Sequence, residues 1–95
     1  MIDNKLLEYL IVFYKEGSLL KASEVLHLSE PSLSKAMKSL EDEIGLKIFD
    51  RKKNKLSLNE DGLKLLPFIN EVINSDRILV KKAQEIKEKR NKISI

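Results

Sequence analysis

The 95-residue chain contains no cysteine. A disulfide framework and a thiolate metal site are therefore excluded. It contains one histidine, His27. A zinc cluster would have to rest on carboxylates, a poor ligand set for that ion, so neither a metal nor a cofactor is expected. No apolar run reaches the length of about 18 residues that a membrane-spanning helix needs. The N-terminus, MIDNKLLEYL, carries acids where a secretory signal carries positive charge. A cytoplasmic protein without a membrane partner is expected. Internal repeats and low-complexity segments are also absent.

The residues present suit one compact domain, with room for an extension. Apolar residues make up 42% and charged residues 35%, a mixture that fits helices with one wet face. Net charge is only +3, so its distribution says more than its size. Residues 1–29 hold three lysines against four acids; residues 30–58 hold seven basic residues against five acids; residues 59–95 hold eight against six. The basic excess lies in the last two-thirds and is densest at RKKNK, residues 51–55.

Apolar spacing predicts the elements. Leu6, Leu7, Leu10, Phe13 and Tyr14 recur at three and four over residues 4–16, a helical stripe. Asp3 or Asn4 can cap its start, and Gly17 ends it. Ser18 caps a second, short helix with Leu19, Leu20, Ala22, Val25 and Leu26 as its buried side. After His27–Ser29 a third helix follows. Ser29 is its cap, Pro31 suits its first turn, and Leu33, Met37, Leu40 and Ile44 form its stripe up to Gly45. The period then changes to two. Leu46, Ile48 and Asp50 alternate with Lys47, Phe49 and Arg51, and Leu56 and Leu58 flank Ser57 beyond the turn-like KKNK. A β-hairpin is predicted there. Asn59 caps a long last helix, with Glu60 and Asp61 in its first turn, running to about residue 90.

Helix, short turn, helix and hairpin make a winged helix-turn-helix, whose second motif helix offers its N-terminal residues to base edges in the major groove. One face of the third helix is apolar; the other carries Ser32, Ser34, Lys35, Lys38 and Ser39. Small hydroxyls allow close approach and bond phosphates or bases, and lysines neutralise phosphates or reach guanine acceptors. Residues 7–62 are more specific than this. EGSLLKASEVLHLSEPSLSKAMKSLEDEIGLKIFDR, continued by LSLNEDG, resembles the DNA-binding domain of LysR-type transcriptional regulators without a gap. The resemblance implies double-stranded DNA as partner, usually an imperfect inverted repeat read by a two-fold dimer. It places Ser32, Ser34 and Lys35 toward the major groove and Lys38 on a flanking phosphate or base edge. Arg51 would hold a phosphate or enter the minor groove from the wing, joined by Lys53 and Lys55, and Ser18 would contact the DNA backbone. Glu30 and Pro31 belong to the same DNA-facing set. The chain departs from the family's pattern at Glu30 (commonly glutamine), Lys35 (commonly arginine), Ser23 (the second of a frequent Ala-Ala pair) and Asn59 (a threonine cap). Glutamate accepts from cytosine and repels phosphate, so the preferred bases are open at Glu30.

The last helix places Leu65, Leu66, Ile69, Val72, Ile73, Leu79, Val80, Ala83 and Ile86 on one broad stripe. A second copy of the chain is the simplest cover for it, and the resemblance implies antiparallel pairing of this linker helix in a homodimer. Pro67 should remove one hydrogen bond. Asp76 falls inside the stripe and is either buried with a partner's lysine or wet at the rim. Residues 1–59 are thus expected to be the winged domain, 60–90 the dimerisation helix, and 91–95 the start of an effector-binding domain absent from the chain. KISI would be that domain's first strand, with a small-molecule effector only in a longer form; a frayed tail of a short protein is the alternative.

Other features have plainer readings. His27 at the end of the second helix suits a capping or surface role. Ser18–Lys21 and Ser32–Lys35 match S-x-x-K, but the companion motifs of serine acyl-enzymes are missing, so no enzyme is expected. RKKNK can also be a solvated hairpin tip, and Ser32 and Ser34 can satisfy free backbone donors. An alternative function is a protein-interaction module whose long helix pairs with another chain.

Overall fold

The computed structural model describes residues 2–93. The elements run α1 (Asn4–Glu16), α2 (Leu19–Leu26), α3 (Glu30–Ile44), β1 (Phe49–Lys52), β2 (Lys55–Leu58) and α4 (Glu60–Ile93). Each helix start is capped by a predicted residue. Asp3 accepts from the Lys5 amide at 2.9 Å, Ser18 from Lys21 at 3.1 Å, and Ser29 from Ser32 at 3.2 Å. Gly17 and Gly45 close α1 and α3 in the left-handed region, at φ 81° and 79°. His27 takes the same role for α2 at φ 57°, its backbone N–H donating to the Glu24 and Ser23 carbonyls. The capping expected of His27 is therefore made by its main chain.

The core lies where the first three helices meet the start of the hairpin. Leu10, Leu33, Met37, Leu40 and Ile48 are fully enclosed, with Leu7, Phe13 and Phe49 beside them. Phe13 and Phe49 meet edge to face at 5.9 Å between ring centres, a geometry that favours aromatic pairs beyond simple burial.

Two expectations about this core need correction. In α2 the inner residues are Ala22 and Ser23, while Leu20 and Val25 are exposed. A helix of eight residues packed on only one side buries a narrow face, and small side chains let it approach α1 and α3. The Ser23 hydroxyl is satisfied inside the helix by donating to the Leu20 carbonyl at 2.7 Å. The first strand also begins later than the alternation suggests. Leu46 and Lys47 are exposed and outside the ladder, and Ile48 and Phe49 are both buried. The Ile48 carbonyl bonds the Asn59 amide at 2.9 Å and the Ile48 and Phe49 amides bond the Glu41 carboxylate, so this stretch is tied to α3 and α4 before strand pairing starts. The hairpin then pairs Phe49 with Leu58 through Lys52 with Lys55. Its turn is only Lys53–Asn54, both at positive φ, 53° and 60°, the conformation a two-residue hairpin requires.

Asn59 does more than cap α4. Its Oδ1 accepts from the Gly62 amide at 2.8 Å and its Nδ2 donates to the Lys47 carbonyl at 2.9 Å. One side chain thus joins α4 to the segment before β1. The helix that follows has 34 residues, about 51 Å at 1.5 Å per residue, and runs unbroken through Pro67. It ends at Ile93 rather than near residue 90, so Lys92 and Ile93 are helical and not part of the expected KISI strand. Ser94 and Ile95 lie outside the described residues. No described helix is long and apolar enough to cross a membrane.

The apolar stripe of α4 divides in two. Leu66, Ile69 and Ile73 are buried and Leu65 is half-buried against the chain's own core. The expectation that these four need a second chain to cover them is corrected: the winged domain covers them. Val72, Leu79, Val80, Ala83 and Ile86 remain exposed, and so does Asp76.

Gly62 marks the tightest point of this packing. A Cβ there would collide with the Ile48 carbonyl oxygen and lie 2.7 Å from Leu58 Cδ2. Glycine to alanine inside a helix ordinarily stabilises by roughly 0.5–1 kcal/mol. Here the close backbone reverses the sign, and Gly62→Ala should destabilise by about 1–3 kcal/mol. Thermal or urea unfolding checks this, and a stabilised variant would refute the packing.

Candidate nucleic-acid interface

The rotation of α3 about its axis decides which side chains face outward. With Leu33, Met37 and Leu40 enclosed, Glu30, Pro31, Ser32, Lys35, Lys38 and Ser39 are exposed on the other side. Ser34 lies on the flank and is half-buried. The Ser29 hydroxyl accepts the Ser32 amide and donates to Ser32 Oγ at 2.8 Å. Capping is therefore done by Ser29, and the Ser32 hydroxyl keeps its own proton for an outside acceptor. The Lys35 ammonium makes no hydrogen bond or ion pair with any described residue. Lys38 pairs with Asp42 one turn on, at 3.5 Å between exposed groups, a contact weak enough to exchange for a phosphate.

The wing reaches α3 from the side of Ser34. Arg51, on β1, sets both terminal nitrogens toward Ser34 Oγ, at 3.3 and 3.4 Å. Two residues expected to meet DNA from different elements are thus adjacent before any ligand arrives. On one side of Arg51 a groove is lined by Ser18, Leu20, Glu30, Lys53 and Lys55. On its other side a second groove includes Lys38 and Lys47. Arg51 lines both grooves, in which basic side chains outnumber the carboxylates of Glu30, Glu41 and Asp42.

The hairpin tip carries an internal repulsion. Lys52 and Lys55 are directly opposite in the ladder, and like charges so placed are destabilising. Lys53 follows in the turn itself. Three lysines at the end of a two-residue turn favour an anionic partner, since a phosphate relieves what the fold leaves uncompensated.

Glu41 is a residue whose part sequence reasoning missed. Its Oε2 accepts both the Ile48 amide at 2.9 Å and the Phe49 amide at 3.0 Å. It fixes the distance between α3 and the start of the wing, and so the approach of Arg51 to Ser34. Its place in a helix of mixed charge (KSLEDEI) gave no signal beyond solvation, because the amides it satisfies come from seven and eight residues later, in a segment whose alternation reads as strand and points to ladder partners instead. Asn54, by contrast, lies in the polar tip from which the hairpin is predicted. It takes positive φ there, a conformation asparagine tolerates in two-residue hairpin turns, and its turn partner is a lysine rather than a glycine.

Three helices with an antiparallel two-stranded wing, a polar face on the third helix and a basic hairpin define a winged helix-turn-helix protein. Residues 4–63 match the family described as bacterial regulatory helix-turn-helix protein, lysR family. The chain belongs to that family. The HTH-type transcriptional regulator BsdA of Bacillus subtilis is 35% identical over 88 residues, covering 92% of this chain and 30% of that protein. The chain spans about a third or less of the curated relatives it matches. Among solved structures, Vibrio fischeri DarR in complex with DNA superposes with a TM-score of 0.83 at 22% identity, over 93% of this chain and 30% of that one. The BenM_DBD complex with catB site 1 DNA gives 0.83 at 20% identity, over 94% and 96%. These two likenesses establish the fold.

Replacing Glu41 by alanine leaves two backbone donors unpaired in a part-buried position. Glu41→Ala should destabilise by roughly 2–3 kcal/mol. Urea unfolding monitored by circular dichroism measures it, and a change under about 0.5 kcal/mol, within the scatter of ordinary surface substitutions, would show that the hairpin does not depend on this carboxylate.

Proposed function

We propose that this chain is the DNA-reading head of a homodimeric bacterial transcriptional regulator and binds double-stranded DNA sequence-specifically. The observation that carries the reading is the convergence of the exposed face of α3 with the basic wing, joined through Ser34 and Arg51. In this reading Ser32 and Lys35 meet base edges in the major groove, with Ser34 beside them. Lys38 meets a flanking phosphate after leaving Asp42. Arg51, Lys53 and Lys55 follow the backbone, and Ser18 donates its hydroxyl proton to a phosphate while its oxygen caps α2. The relatives named as transcriptional regulators and the fold neighbours solved with DNA support this assignment. None of the roles requires a metal, a cofactor or an enzymatic step.

The dimer is proposed to form through the outer half of α4. Leu79, Val80 and Ile86 are 68%, 56% and 58% exposed, with Ala83 between them, and a two-fold partner covers such a stripe with its own copy. Leu65, Leu66, Ile69 and Ile73 serve the chain's own core instead. The same exposed stripe favours a second reading, in which α4 pairs with a different protein. Sizing of the purified chain separates the two: a homodimer supports the first, and a monomer that pairs only with a foreign helix supports the second. Lysine at both Leu79 and Val80 should give a monomer and weaken binding to a two-half-site DNA by roughly 10²-fold or more through lost avidity, with binding to a single half-site unchanged. A double variant that stays dimeric would move the interface elsewhere.

Binding should weaken steeply as salt rises, with log affinity linear in log salt concentration. Lys35→Ala should cost about 1–3 kcal/mol and relax the preference at one base pair. Arg51→Ala should weaken all sequences about equally and reduce the salt slope by roughly one unit. Fluorescence anisotropy against salt, together with random-site selection, measures all three. A flat salt response, or selection that recovers no common sequence, overturns the proposed function.

A further inference from the structure

Glu30 is the exception on the DNA-facing surface. It opens α3 and is exposed. It shares a groove with Arg51, Lys53 and Lys55, yet its carboxylate makes no hydrogen bond or ion pair with any described residue. In the free protein an acid in a first helical turn is mildly stabilising, because it meets the positive end of the helix dipole. On DNA the same charge faces phosphates, which repel it. An acid so placed either weakens binding to every sequence or is matched by a donor on the DNA.

We infer that Glu30 is a specificity-determining residue that selects cytosine at one position of the bound site and rejects the other bases. This rests on the DNA-reading function proposed above. The chemistry of the major groove makes the choice. A carboxylate only accepts hydrogen bonds. Guanine presents N7 and O6 and thymine presents O4, all acceptors, so both repel it. Adenine offers its N6 amino group, but N7 lies beside it and faces the same carboxylate. Cytosine offers its N4 amino group with no acceptor of its own base adjacent. Glu30 stands at the end of the helix whose N-terminal residues reach base edges, so it is placed for such a contact. The three basic side chains along the groove keep phosphate attraction dominant, which lets the acid act by discrimination and not by abolishing binding.

The test is random-site selection and anisotropy on the intact chain with wild type, Glu30→Gln and Glu30→Asp. Wild type should select cytosine at one position in each half-site, and replacing that cytosine should weaken binding about tenfold. Glu30→Gln should lose that preference and bind mismatched DNA more tightly than wild type does. Glu30→Asp keeps the charge at the helix start but shortens the reach, and should lose the cytosine preference without losing thermal stability. If the three proteins select the same site and differ only in melting temperature, Glu30 serves the helix dipole and the inference fails. If the wild type selects no site at all, the proposed function fails first, a result distinct from selection that lacks cytosine.

Discussion

Leu33, Met37 and Leu40 have no exposed surface, and their enclosure fixes how α3 is turned about its axis. A helix whose apolar residues repeat at four and three can bury only one stripe. Once that stripe is set against α1 and the start of the wing, the remaining residues have no freedom of direction. Rotating α3 enough to bury Lys35 would bring Leu33 or Met37 into water and a charge into the core, each costing several kcal/mol. The outward face carrying Ser32, Lys35 and Lys38 is thus a consequence of the packing on the other side.

The wing is positioned by polar groups instead. Ile48 is buried just before the ladder and Phe49 opens it, so backbone groups at this junction need partners from elsewhere. Glu41 supplies acceptors for two amides, and Asn59 donates to the Lys47 and Ile48 carbonyls through its side chain and main chain. These bonds connect α3, the hairpin and α4 at one place. The Phe13–Phe49 contact then adds the apolar part. A two-stranded hairpin alone is marginal in water. Tied in this way, it holds Arg51 beside Ser34 and keeps three lysines together at its tip despite their repulsion.

Much of this was legible in the sequence because it rests on local patterns. The stripes of α1 and α3, the caps Asp3, Ser18, Ser29 and Asn59, and the change of period after Gly45 are all short-range signals. The misreadings arose where a tertiary partner decides. Leu20 and Val25 look like core residues of α2 until the helix proves to be covered on one side only. Leu46 and Ile48 read as alternating strand positions, but side-chain bonds from Glu41 and backbone bonds from Asn59 replace the ladder there. The grouping of Ser18, Glu30 and the wing lysines around one groove joins residues up to 37 positions apart in a chain of 95. Periodicity carries no information about such a grouping; resemblance to a family does.

The long helix shows the same limit in its sharpest form. Its apolar stripe runs from Leu65 to Ile86 at one helical period, interrupted only at Asp76, yet its environment changes after Ile73. Leu66, Ile69 and Ile73 are covered by the chain's own core, whereas Leu79, Val80, Ala83 and Ile86 are exposed among the described residues. Periodicity tells that a face is apolar but not what covers it. The division has a mechanical consequence. An unbroken helix of 34 residues anchored at one end by Leu66, Ile69 and Ile73 transmits the orientation of the winged domain to its far half. In the proposed dimer, the spacing of two reading helices is then set by where two such rods cross. A shift of the seam by one helical turn would move each head by about 5.4 Å, more than the 3.4 Å rise of a base pair. In that dimer the register of the outer stripe would bear on which DNA spacing is read, through residues outside those assigned to DNA.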